Sequence, residues 1–277
     1  MKLEKIRGRT GYIETRRAAI PVYWLSEREV LLFDSGTEPD DALLELLEQH
    51  GLRVRAVVCT HLHPDHIANN EALVKQHGAE IFGHPLDFPW LYERQQVPYP
   101  ITPIENDTLL EIDGAKIRLL LTPGHSDGHL LCITPDDVCC RGDAIITQDI
   151  LERSKIPYME DVDRAIISME RIRETNYPLY IIAHRGVIAR EELAALVELN
   201  IQKELELYDL LRSRITASVD IEELTSDFIR AAGVHSQKMV EQDYVRHTAK
   251  VRIMALIHAG EFSLEGNLVG PKPFYAQ

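Results

Sequence analysis

The sequence predicts a layered α/β fold, with sheets covered by helices on their outer faces. Strand-like runs come in two groups, and each group is followed by amphipathic helices. An apolar content of 45% over 277 residues supplies enough core for such layers. The length fits one large domain, or one domain with a smaller appendage.

The elements follow in order. Val22–Leu25 and Val30–Phe33 flank the polar turn Ser26-Glu27-Arg28-Glu29, a hairpin pattern. Asp40–His50 carries leucines at 43, 44, 46 and 47, as an amphipathic helix does. Val54–Cys59 reads as a buried strand, Ile67–His77 as a helix and Glu80–Gly83 as a strand. Three prolines within Gln95–Pro103 mark a loop. Thr108–Ile112 and Ile117–Thr122 flank Asp113-Gly114, a tight-turn dipeptide. Leu130–Thr134 and Val138–Arg141 form another hairpin. Asp161–Thr175 is helical, Tyr180–Ala183 a strand and Arg190–Ser213 a long helix.

Composition shifts after residue 213, so we divide the chain into a catalytic unit, 1–213, and an extension, 214–277. The extension reads as mostly helical. Asp220 with Glu223 fits a capping box ahead of Leu224, Phe228 and Ile229. Val251–His258 is a second helical stripe. Residues around Ser263–Asn267, Val269 and Phe274 suggest a closing hairpin, so the extension is winged-helix-like in outline. Its 7 basic against 8 acidic residues are near balance, while residues 1–213 carry 23 against 36.

A net charge of −14 argues against a general binder of nucleic acid or anionic membrane. The N-terminus lacks the apolar stretch of a secretory signal, and no run is long enough to span a bilayer. Cys59, Cys132, Cys139 and Cys140 all sit in strand-like runs and read as core thiols. A cytoplasmic protein is expected.

The chemistry concentrates in Thr60-His61-Leu62-His63-Pro64-Asp65-His66, directly after a strand and before a helix. In an extended loop His61 and His63 point the same way. The turn at Pro64 then brings Asp65 and His66 round to face them. Such imidazole and carboxylate sets suit borderline cations such as Zn²⁺. His125, Asp143 and His184 each follow a later strand, and an α/β fold gathers strand ends on one edge.

These motifs, His-x-His-x-Asp-His, Gly-His-Ser, Gly-Asp and His-Arg-Gly, resemble in order those of the metallo-β-lactamase superfamily. The resemblance runs from about residue 20 to 186 and includes Leu32-Phe33-Asp34-Ser35-Gly36. It implies an αββα sandwich of two mixed sheets with metals at one edge. By the resemblance His61, His63 and His125 hold a first metal, Asp65, His66 and His184 hold a second, and Asp143 bridges them. Asp34 orients a ligand or its loop. Two features depart from the family pattern: Ile67-Ala68-Asn69-Asn70 lacks the usual early glycine, and Ala183-His184-Arg185-Gly186 replaces Gly-His-Gly.

The resemblance implies a hydrolase with two Zn²⁺ ions, iron or manganese being alternatives. Its nucleophile would be a metal-bridging hydroxide, with Asp65 positioning it and relaying a proton. A small ester, lactone or thioester is the expected substrate, as in the glyoxalase II-like and lactamase-like protein groups. Two other readings stay open: a phosphodiesterase or endoribonuclease, and a mononuclear iron enzyme resembling persulfide dioxygenases. Nucleic acid is a less favoured partner, a membrane is not expected, and a homodimer stays open. The extension reads as a lid or dimerisation element. His129 is a candidate for a supporting role beside the ligands, and Arg185 either faces an anionic substrate or forms an ion pair. Tyr158, Tyr244 and His247 are candidate pocket residues, with packing the favoured reading of each.

Overall fold

A computed structural model describes residues 1–105, 107–235 and 239–272, without the side chains of 239–241. The chain begins with four antiparallel strands, β1 (Lys2–Arg7), β2 (Thr10–Glu14), β3 (Ala19–Trp24) and β4 (Glu29–Phe33). Next come α1 (Asp41–Gln49), β5 (Arg53–Val58), the single turn α2 (Pro64–Ile67), α3 (Asn70–His77), β6 (Glu80–Gly83), α4 (Phe88–Arg94) and β7 (Thr102–Pro103). Strands β4 to β7 are parallel, so these seven strands form one mixed sheet in sequence order.

The second sheet uses β8 (Leu109–Ile112), β9 (Ala115–Leu121), β10 (Leu130–Ile133) and β11 (Val138–Cys140). After α5 (Gln148–Ser154) and α6 (Val162–Glu174) it gains β12 (Leu179–Ile182) and β13 (Gly186–Ala189). Its order is β13-β12-β11-β10-β9-β8, antiparallel except for the β11–β12 pair. Asp113 and Gly114 both take positive φ in the β8–β9 turn, as a two-residue hairpin of that twist demands.

The layers follow from strand periodicity. In β4, Leu31 and Phe33 point between the sheets, where they meet Val58, Leu119, Cys132 and Cys140. Val30 and Leu32 point outward onto Leu43, Leu47, Leu73 and Leu91 of α1, α3 and α4. A strand buried on both faces needs an unbroken apolar run, which is why Val30–Phe33 lacks polar alternation. Cys139 and Tyr180 point outward from the second sheet onto Met169 and Ile172 of α6. All four cysteines are free and buried. The chain is therefore the αββα sandwich that the resemblance implied.

Helix α7 (Arg190–Arg214) leads into the C-terminal region, which holds β14 (Val219–Asp220), α8 (Ile221–Ala231), α9 (Met239–His258), β15 (Phe262–Glu265) and β16 (Leu268–Pro271). The Asp220 carboxylate accepts from the backbone N–H groups of Glu222 and Glu223 and starts α8. Helix α9 is far longer than its predicted stripe. The closing hairpin forms between β15 and β16, with β14 on the other side of β16; the expected part of Phe274 lies outside the described residues. Tight packing joins this region to the sandwich. Leu224, Phe228, Ile253 and Leu256 share one apolar core with α6, α7 and the outer face of the second sheet.

Candidate metal centre and its pocket

The groups of interest all leave strand ends on one edge of the sandwich. Strand β4 ends in Asp34, β5 in the loop 60–66, β9 in the turn before His125, β11 in the turn before Asp143 and β12 just before His184. Two of these turns admit only glycine. At Gly142 (φ +50°) an added Cβ would lie 2.4 Å from Thr60 Oγ1, and at Gly124 (φ +139°) it would lie 2.3 Å from the Ala165 backbone.

Asp34 is the organiser of the first loop. It sits at φ 64°, a conformation that Asp tolerates better than most residues. One carboxylate oxygen accepts from Thr60 N at 2.7 Å; the other accepts from Thr60 Oγ1 at 2.8 Å and pairs with His66 Nδ1 at 2.8 Å. Asn69, in the stretch that lacks the glycine of the family pattern, ties the neighbouring loop. Its amide donates to the Ser35 and Glu38 carbonyls and its oxygen accepts from Asp40 N.

Two sets of side chains result. His61, His63 and His125 form one; Asp65, His66, Asp143 and His184 form the other. Within each set the nearest ligand atoms lie within 4.8 Å of one another. Backbone carbonyls fix two of the imidazoles. His125 Nδ1 donates to Tyr158 O at 3.1 Å, and His184 Nδ1 donates to Arg17 O at 3.2 Å. A carbonyl can only accept, so Nδ1 of each ring carries a proton, and in the neutral ring it is Nε2 that offers its lone pair to the site. Asp143 lies between the sets: its Oδ2 is 3.4 Å from His66 Nε2, 3.8 Å from His125 Nε2 and 3.3 Å from His184 Nε2.

Electrostatics divide the imidazoles. Burial, reinforced by neighbouring imidazoles, holds His61 and His63 well below the usual histidine range. His125 is also lowered, chiefly by burial. His66 is pushed well above that range, because the carboxylates of Asp143 and Asp34 outweigh its burial. Asp143 raises His184 to about 9 against the opposing effect of burial. Burial alone would raise Asp143, but His66 and His184 bring it well below the carboxylate range.

The donor set fits a metal centre. The buried Nε2 atoms of His61 and His63 have no hydrogen-bond partner, in a molecule where most buried polar atoms are paired, and that of His66 meets Asp143 at 3.4 Å. His63 Nδ1 and His125 Nε2 stand 3.1 Å apart. Unprotonated imidazoles crowded at such distances repel one another's lone pairs unless a proton or a cation lies between them.

The remaining candidates fall into place around this centre. His129 is fully buried; its Nε2 accepts from Asp143 N at 3.1 Å and its Nδ1 pairs with Thr122 Oγ1 at 3.0 Å. It supports the Asp143 turn. Arg185 pairs with Glu192 at 3.5 Å, half exposed, which is the ion-pair reading of that residue. Asp87 was not anticipated. Its buried carboxylate accepts from Leu62 N, Ser126 Oγ and Gly128 N, binding the loop 60–66 to the His125 loop. Burial raises it to about 6 despite these bonds. Nothing in the run His84-Pro85-Leu86-Asp87 signals that reach.

A cavity of about 540 Å³ opens over the centre, floored by His63, Asp65, His125, Asp143 and His184. Ile145, Ile146, Ile150, Trp90, Tyr158 and Tyr244 supply much of its wall. Reading Tyr158 and Tyr244 as packing missed this. The Tyr158 ring lies 5.1 Å from the His63 ring and 5.7 Å from that of Tyr244, so the same contacts that pack it also line the cavity.

The family model described as the metallo-beta-lactamase superfamily matches residues 16–184. The chain belongs to that superfamily. A hydroxyacylglutathione hydrolase of Albidiferax ferrireducens is 31% identical over 110 residues, covering 40% of this chain and 39% of the relative. Another, from Methylobacillus flagellatus, is 33% identical over 97 residues, covering 34% and 36%. The chain thus spans less than half the length of these curated relatives. Two solved structures share the fold over nearly the full chain. A metallo-beta-lactamase family protein from Thermus thermophilus has a TM-score of 0.72 at 17% identity, covering 92% of this chain and 94% of its own. A beta-lactamase domain protein from Burkholderia ambifaria has 0.74 at 14%, covering 97% and 93%.

Proposed function

We propose that the protein is a dinuclear metal-dependent hydrolase acting on a small ester, lactone or thioester. The observation that carries this reading is the convergence of seven ligand-type side chains, with the buried Nε2 atoms of His61 and His63 left unpartnered. His61, His63 and His125 would hold one Zn²⁺, and Asp65, His66 and His184 the other. Asp143 would bridge them, in keeping with its place between the two sets. When bound, the ions acidify water and polarise the carbonyl oxygen of the substrate. Asp65 orients the attacking water and takes its proton at the carboxylate, for delivery to the leaving group. Tyr158 and Trp90 close one side of the centre and exclude bulk water. The names of the aligned relatives favour a thioester. A unit at 1–213 would carry the ligands, with 214–277 packed against it, in a cytoplasmic protein.

Metal analysis joined to a substrate panel tests this. Two equivalents of zinc per chain and chelator-sensitive hydrolysis of an ester or thioester are expected. One iron per chain with oxygen consumption on a persulfide would overturn it, as would cleavage of bis-p-nitrophenyl phosphate or RNA alone.

A further inference from the structure

The hydrolase reading leaves the groups flanking the scissile bond open, and the wall of the cavity bears on them. Its larger apolar side chains include Trp90 in α4, the isoleucines around α5, Ile182 at the end of β12, Tyr158 and Tyr244. Tyr244 belongs to α9, so the C-terminal region contributes directly to the cavity.

The same helix fixes the loop that carries Tyr158. Thr248 Oγ1 donates to Pro157 O at 3.0 Å and accepts from Met159 N at 2.9 Å. Arg252 Nη2 donates to Pro157 O at 3.0 Å, and its guanidinium is held by Glu204 of α7 in a fully buried pair. The Tyr158 hydroxyl donates to Glu160, whose other oxygen pairs with His247 Nε2 at 2.7 Å. Tyr158 is therefore locked from both sides, with its phenol turned to Glu160 rather than offered to a ligand. What it presents to the cavity is its ring, which lies 5.7 Å from the rings of both Tyr244 and His247.

Charge completes the case. Apart from the histidines of the centre, the described residues lining the cavity include one cation, Arg153. That side chain is largely exposed and already lies 3.4 Å from Asp149. Glutathione carries two carboxylates, and besides Arg153 the described lining offers them only the hydroxyls of Thr37, Thr147 and Ser154 among a mostly aromatic and isoleucine wall. Desolvating an unpaired carboxylate there is costly, whereas burying an apolar group is favourable.

We infer that the substrate is an ester or thioester with uncharged flanks and a bulky apolar, aromatic or branched acyl group, seated against Tyr158 and Tyr244. This rests on the hydrolase reading for the reaction, but not for binding. Tyr244 is then a specificity residue and α9 a specificity element.

Two measurements on the full-length, zinc-loaded protein test it. In the first, hydrolysis of the phenylacetyl and acetyl thioesters of N-acetylcysteamine is compared with that of S-lactoylglutathione. The phenylacetyl compound should lead the acetyl one about tenfold in kcat/KM, mainly through KM, the scale of apolar-pocket discrimination. S-lactoylglutathione should trail both. Tyr244→Ala should erase the phenylacetyl advantage and Tyr244→Phe restore it. Preference for S-lactoylglutathione, or an acyl preference unmoved by Tyr244→Ala, would overturn the inference. In the second, calorimetry compares binding of the non-hydrolysable phenethyl thioether of N-acetylcysteamine with that of S-methylglutathione. Selective binding of the former with no thioester cleaved would defeat the hydrolase reading and leave the pocket assignment standing. Tighter binding of S-methylglutathione would defeat the pocket assignment whatever the reaction.

Discussion

The floor and the wall of the cavity are built on different length scales. Four of the seven ligand-type residues in and beneath the floor fall within six positions, His61 to His66, and the others each follow a strand. The wall is held by contacts that span the chain: Glu160 to His247, Pro157 to Thr248 and Pro157 to Arg252. Local spacing can encode a metal set, because a strand end and one turn bring the groups together. No local pattern can encode a wall whose halves lie about ninety residues apart. The comparison implies that damage to the floor removes chemistry, whereas damage to the wall changes stability or selectivity.

Loss of a floor residue should have the largest effect. His63→Ala or Asp143→Ala is expected to lower hydrolysis by about a thousandfold or more, the scale of losing a preorganised electrostatic group. Thermal unfolding of the metal-free variant should stay cooperative. Retained activity in either variant would end the claim that this edge is the reactive one.

The wall predicts the opposite signature. Arg252 and Glu204 are both fully buried, and the pair holds the Pro157 carbonyl. Arg252→Met leaves the Glu204 carboxylate buried without its partner and should cost about 3–5 kcal/mol in denaturant unfolding. Adding Glu204→Leu should recover much of that loss, because no stranded charge remains. A single variant as stable as the parent would show that this contact does not anchor α9.

Asp34 lies between the two cases, touching the proposed ligand His66 without belonging to either ligand-type set. Asp34→Ala frees His66 Nδ1 and the Thr60 backbone together. Zinc affinity should fall about 10–100-fold, the usual scale for such supporting contacts. Competition with a chromophoric chelator measures it. Zinc uptake should also release protons, and the sign follows from the raised histidines. His184 titrates near 9 and His66 sits above its usual range, so the metal-free protein holds these protons at pH 7. Release in weak buffer should therefore be larger at pH 7 than at pH 10.

The same division of length scales explains what was legible in the sequence. The paired sheets, the hairpin at Asp113-Gly114 and every ligand-type residue were readable, because each is written in periodicity or at a strand end. Strands β1 and β2 were not; Lys2–Arg7 is an edge strand with charged side chains, and its pairing with β2 comes from the sheet. Asp87 was missed because its three donors come from two other loops. Tyr158 and Tyr244 were seen but read as packing, since an aromatic lining a cavity and one filling a core have the same local sequence.

The smallest expected effect lies at the join between the regions. Glu160 is partly buried, and burial alone would raise its pKa; its bonds with His247 and Tyr158 outweigh this and lower it. A carboxylate depressed in the folded state contributes stability above its unfolded value, near 4.5, and loses it as pH falls through the lower folded value. Glu160→Gln keeps an acceptor for the Tyr158 hydroxyl and removes the charge. Because the His247 partner is itself more than a third exposed, solvent screens the pair, and the stability lost at pH 7 should be below about 1 kcal/mol. Unfolding measured from pH 7 to pH 3 should show parent and variant converging at the acidic end. A gap that persists at pH 3 would mean that Glu160 acts through shape rather than charge, and that the wall is held on this side by packing alone.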